Sequence, residues 1–335
     1  MSQLVIYRPE KWSRLSPLPG PGTYRFLAQG DSWFSIGSLP PTNTTNLLKA
    51  MTFDTDACVV DFSQPGSEAG QMWGVVPTSQ WVFNPLFAGM LNGGSLAYKW
   101  DGILLSAGGN DLIAALLVPP VDGAGKPVPQ AQRLLLQQNE WGSQSDVGRF
   151  ASEAGWETFK THLSAVFVEL IAMRDAATSR SQHAPLFVHS YCYLQPRDVG
   201  VGELPGGRWI GGPWLYKAVQ EYAIPDDQWL PLVRYFVDRL FDLLSDIAAS
   251  HQNIYVIDLR TALPSAAARS TGSNGDWENE IHPTKSGYDK LGQLYSSAVQ
   301  SASGISSAPA TPAIRLMRTT AGDMRPKTAQ RRKHH

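Results

Sequence analysis

Five short runs along the chain are almost continuously apolar: residues 24–29, 57–62, 102–106, 186–191 and 254–259. Most are bounded by Gly, Pro, Asp or Asn, and none alternates strictly, which predicts strands buried on both faces. Between them apolar residues recur at helical spacing, predicting helices over about 44–51, 81–91, 111–116, 148–178, 230–249 and 284–299. In 230–249 the stripe Leu232, Tyr235, Phe236, Leu240 and Leu243 reads as core packing. Strands separated by helices require crossover connections. The pattern therefore predicts an α/β protein, a three-layer α/β/α sandwich around a five-stranded parallel sheet.

Two stretches do not fit that unit. Residues 118–147 are rich in Pro, Gly and Gln, and 194–228 carry Gly206-Gly207-Arg208-Trp209-Ile210-Gly211-Gly212-Pro213-Trp214. Segments this long inside a domain are usually functional loops, and both are expected to pass over the carboxyl edge of the sheet. The expected organisation is an N-terminal extension over 1–22, one domain over 23–302 with these two insertions, and a disordered tail over 303–335.

Charge sharpens the picture of the tail. The whole chain of 335 residues has a formal net charge of −1, but seven basic residues and one acid put +6 on 303–335 and leave about −7 on the rest. Such a tail is able to contact anionic partners, or simply to solubilise the chain. The start lacks a charged segment followed by a long apolar core, so a cytoplasmic location is the default, and no stretch is long and apolar enough to span a bilayer. Cys58 and Cys192 sit in apolar runs and read as small buried hydrophobes. No Gly-x-Gly-x-x-Gly follows the first strand and no Gly-Lys-Ser/Thr is present, which argues against dinucleotide and phosphate-loop chemistry.

Polar residues cluster where the strands end. Gly30-Asp31-Ser32 closes the first strand, Gly66 follows the second, Gly108-Gly109-Asn110-Asp111 the third, and His282-Pro283 comes after the fifth. Acyl transfer needs a nucleophile, a base, a group that orients the base, and donors for the oxyanion. Ser32 offers a hydroxyl, His282 an imidazole just before a helix that Thr284 can cap, Asn110 a side-chain N–H, and Gly66 an unshielded backbone N–H. Each alone is an ordinary turn or loop residue; their order at successive strand ends makes a set.

These blocks resemble those of the SGNH, or GDSL-type, hydrolases, over about residues 22–302. The resemblance implies a flavodoxin-like sheet and hydrolysis of carboxylic esters. It also implies Ser32 as nucleophile, His282 as base, and an oxyanion hole from Ser32, Gly66 and Asn110, with no metal or organic cofactor. One position departs from that family: three residues before the histidine, where an aspartate is usual, stands Asn279. An amide there can select the wrong imidazole tautomer, a change that costs about 10⁴ in turnover in a serine triad. Asp276, Glu278 or Glu280 taking over, a backbone carbonyl orienting the ring, and a weakened site kept for binding are the alternatives. Glu280, the nearest acid in sequence, is expected to face solvent.

His189 reads as a residue of the core, His183 as a surface residue, and His162 and His251 as structural. Eleven tryptophans, with Trp33, Trp209, Trp214 and Trp277 near the candidate site, suggest aromatic walls suited to a lipid or carbohydrate ester. The rival to a serine esterase is a catalytically weak binding or adaptor module.

Overall fold

The computed structural model describes residues 2–12, 20, 22–35, 45–73, 85–93, 97–205 and 208–305. Its centre is a parallel sheet built from β1 (Val5–Tyr7), β2 (Tyr24–Gly30), β3 (Ala57–Asp61), β4 (Gly102–Ser106), β5 (Leu186–His189) and β8 (Ile254–Ile257), in the spatial order β8-β5-β4-β2-β3-β1. Every residue of β3, β4, β5 and β8 is buried, the outcome their unbroken apolar runs require. Helices flank the sheet: α1 (Pro85–Asn92), α2 (Gly109–Leu116), α3 (Glu153–Asp175), α5 (Trp229–Ser250) and α6 (Lys285–Ser303). The α/β class and its layering are those read from the sequence.

Among the described residues the sheet has six strands, not five. Val5–Tyr7 pairs in parallel with β3, Val5 opposite Cys58 and Tyr7 opposite Val60, although 1–22 read as an extension. A three-residue, half-exposed edge strand leaves too short a pattern to detect. Residues 47–50 form a turn rather than the expected helix. The helix expected over 148–178 begins only at Glu153: Val147–Phe150 is a 3₁₀ turn, and Ser152 accepts a hydrogen bond from Gly155 N–H to start α3. Of the helix expected over 81–91, residues 81–84 lie outside the described residues, as does the tail from 306 onward.

Both insertions are folded. Over 118–147, which holds the 3₁₀ turns Gln130–Gln132 and Gln138–Glu140, the buried Arg133 guanidinium donates to the Val128 and Leu135 carbonyls and to the Glu140 carboxylate. Over 194–228 an antiparallel hairpin, β6 (Val201–Leu204) with β7 (Arg208–Gly211), leads into α4 (Leu215–Glu221). Both cysteines are buried and free.

Topology fixes where a site can form. The chain leaves β2 for β3 on one side and then crosses to β4 on the other. Connections diverge at the carboxyl end of β2, and such a switch point opens a crevice between the loops on either side.

Candidate active site

Ser32 lies at that switch point, opening the one-turn helix Ser32–Ser35 one residue beyond the end of β2. The preceding residue anchors it. Asp31 N–H donates to the Ser106 carbonyl at the end of β4 (3.1 Å), and its buried carboxylate accepts from Trp33 N–H (2.9 Å), Ser106 Oγ (2.7 Å) and Tyr191 OH (2.5 Å). Burial raises the Asp31 carboxyl to about 6 even though these donors favour the charged form. The corner is thus fixed by groups on β4 and on the segment after β5.

His282 approaches from the loop preceding α6, whose first turn is capped by Thr284 accepting from Gly287 N–H. Its Nε2 stands 2.8 Å from Ser32 Oγ, and its Nδ1 3.1 Å from Asn279 Oδ1. That oxygen also accepts from the backbone N–H groups of Ile281 (3.0 Å) and His282 (2.9 Å). Two backbone donors leave the amide one orientation, oxygen toward the ring. Nδ1 must then carry the proton, and Nε2 is left as the acceptor for the serine hydroxyl. Burial lowers the His282 imidazole to about 4, so the ring is neutral at pH 7. Trp33 joins the two halves directly, its indole N–H donating to the Ile281 carbonyl at 3.1 Å.

The acids considered near His282 are engaged elsewhere or linked differently. Asp276 is ion-paired with Lys290 at 2.7 Å. Glu278 reaches His282 through its backbone, N–H to the His282 carbonyl at 2.9 Å. Glu280 does not face solvent: it is 1% exposed, and its carboxylate accepts from the backbone of Arg197 and of residues 214–216. Burial raises it to about 7.

Asn110, in the first turn of α2, lines the cleft beside Ser32 and donates one amide hydrogen to the Ser67 carbonyl at 3.0 Å. Gly109 must lack a side chain, because a Cβ there would meet the Tyr191 ring at 2.4 Å. Gly66 is different. It is exposed, absent from the cleft lining, and open space surrounds the position of a Cβ. Its φ of +74° by itself favours a glycine at this position. Its loop is nevertheless tied to the site through the Ser67–Asn110 bond.

The cleft is narrow, with a cavity volume of about 30 Å³, and Ser32, Trp33, Asn110 and Ile281 are among its lining residues. Its walls are chiefly aliphatic, with Leu112, Leu116, Leu215, Val237 and Leu240 prominent, rather than the aromatic walls that the tryptophan count suggested. Trp33 is a buried bolt, Trp277 is in the core with its indole bonded to the Pro264 carbonyl, and Trp214 stands edge-on to His282 with ring centres 6.0 Å apart. His189 is fully buried against Trp33, Phe34, Tyr191 and Tyr295, while His183 is a surface residue beside Asp175. Sequence reading missed the Asp31–Ser106–Tyr191 network and the Glu280 contacts. Only the Asp of Gly-Asp-Ser and the Glu next to Asn279 could have signalled them.

No family model matches the chain, and no curated protein matches it. Among solved structures it is similar to an extracellular lipase from Streptomyces rimosus, at 13% identity over 83% of this chain and 99% of that one, with a TM-score of 0.44. It is also similar to the native aryl esterase of M. smegmatis, at 14% identity over 83% and 99%, with a TM-score of 0.43. A catalytic mutant of an acetylxylan esterase from Geobacillus stearothermophilus aligns at 13% identity over 86% and 96%, with a TM-score of 0.40. At TM-scores below 0.5 these likenesses carry none of the functional argument, which rests on the geometry of the site.

Proposed function

We propose that the protein is a serine hydrolase of carboxylic esters. The observation that carries this reading is the aligned set Ser32 Oγ, His282 and Asn279, with contacts of 2.8 and 3.1 Å and an imidazole tautomer set by backbone donors. His282 takes the Ser32 proton on Nε2 as Oγ attacks the ester carbonyl, then delivers it to the departing alcohol. Water, deprotonated by the same nitrogen, releases the acid. The Ser32 N–H and the second amide hydrogen of Asn110 are the donors assigned to the developing oxyanion; Gly66, outside the cleft lining, is left out of that set. The aliphatic walls favour an apolar acyl group over a sugar ring.

Asn279 is the observation that favours the rival reading, a weak site kept for binding, because an amide supplies no charge to balance an imidazolium. The fixed tautomer weighs the other way: the ring is oriented as a base even without the carboxylate. A fluorophosphonate probe separates the two. Wild type is expected to label stoichiometrically and to hydrolyse p-nitrophenyl esters, while folded Ser32→Ala does neither. Equal turnover in that variant removes the esterase reading, and a folded wild type that resists the probe establishes the binding module.

A further inference from the structure

We propose that Glu280 is a positioning residue that sets acyl-chain selectivity by holding Trp214 against His282 and Leu215 in the wall of the cleft. This rests on the esterase reading above. Glu280 sits between Asn279 and His282, yet its carboxylate turns away from the imidazole and receives four backbone N–H groups. Oε2 accepts from Trp214 (2.5 Å) and Leu215 (2.9 Å), and Oε1 from Tyr216 (2.6 Å) and Arg197 (3.2 Å). The first three are the free donors at the start of α4, which has no side-chain cap of its own. A buried carboxylate serving those donors admits one placement of the segment, since any shift strands a charge or several N–H groups.

The side chains on either side of that clamp reach the site. Trp214 meets the His282 ring edge-on, at 86° between planes, and Leu215 lines the cleft that opens at Ser32. Two further bonds fasten the same segment to the same loop: Glu280 N–H to the Val199 carbonyl (3.0 Å), and the Arg197 guanidinium to the Asn279 carbonyl (2.6 Å). The insertion over 194–228 is therefore registered to the base, and one side chain carries the register of both the base's neighbour and the acyl wall.

The test compares kcat/KM for p-nitrophenyl octanoate and acetate in wild type, Glu280→Gln, Glu280→Asp and Leu215→Ala. Glutamine turns an N–H₂ toward part of the donor set and loosens the clamp. The octanoate-to-acetate ratio is then expected to fall by about tenfold, the scale of a lost apolar contact in a specificity pocket. Glu280→Asp, which keeps the charge and shortens the reach, should fall between the two. Leu215→Ala should reproduce the change in ratio. A purely structural role lowers both esters together, in step with the folded fraction measured by circular dichroism. A folded Glu280→Gln with an unchanged ratio overturns the proposal; so does an unchanged ratio in Leu215→Ala should Glu280→Gln not fold. Absence of Ser32-dependent turnover in wild type is a different result, which overturns the esterase reading and this inference with it.

Discussion

Asn279 receives three hydrogen bonds on one oxygen, and the two from the backbone decide what the third can do. Orientation of His282 is kept, while the charge that would stabilise its protonated form is missing. Asn279→Asp restores that charge in an isosteric side chain. An adjacent carboxylate raises a histidine by about 1–3 units, so the acidic limb of the kcat/KM profile should move up by that amount from near 4. Turnover above that limb should rise. A limb that stays in place would show that Asn279 does not face the base during turnover. Ser32, His282, Asn110 and even Asn279 stand out in the sequence because each lies just after a strand end or just before a helix cap, where local punctuation is strong. Glu280 does not, since its partners lie 64 to 83 residues away and nothing local distinguishes a buried acid from a solvated one.

At the scale of elements, α2 is the piece whose start matters most. Gly108 adopts φ +95° before it, Gly109 lies under the Tyr191 ring, and Asp111 accepts from Ala69 N–H, tying α2 to the segment after the Gly66 loop. Gly109→Ala forces Tyr191 away from Asp31. The expected cost is about 1–3 kcal/mol, as for other overpacked cores, read as a lower urea midpoint together with slower fluorophosphonate labelling of Ser32. An unchanged midpoint would mean that the ring moves aside freely. Arg8, just beyond β1, makes a 3.0 Å ion pair with the buried Asp61 and also reaches the Ser63 carbonyl, so the edge strand steadies that same loop. The long buried strands announced themselves by composition. The edge strand and the 47–50 turn did not, because three or four residues hold too little periodicity to separate one state from another.

For the whole molecule, buried titratable groups set opposing pH responses. His189 and His282 lie near 4 in the folded state against 6.5 in a free chain, so the unfolded state binds protons first and stability falls as pH drops from 6.5 toward 4. Asp31, Asp111 and Glu280 are raised to about 6, 7 and 7, so the folded state takes up their protons first and stability rises over much of the same window. His189→Asn keeps a donor for the Ser190 carbonyl and removes one destabilising proton. Its Tm should therefore drop less than that of wild type, or rise more, between pH 7 and 5; an identical change would rule His189 out as a source of acid sensitivity. The bond from the Trp33 indole to the Ile281 carbonyl spans 248 positions of chain, and Ser32 and His282 are 250 apart. On the proposed reading, Ser32 emerges during synthesis long before His282, so a nascent or prematurely terminated polypeptide is expected not to react with a fluorophosphonate. Covalent labelling of Ser32 is then expected to report the final docking step, a clock for completed folding.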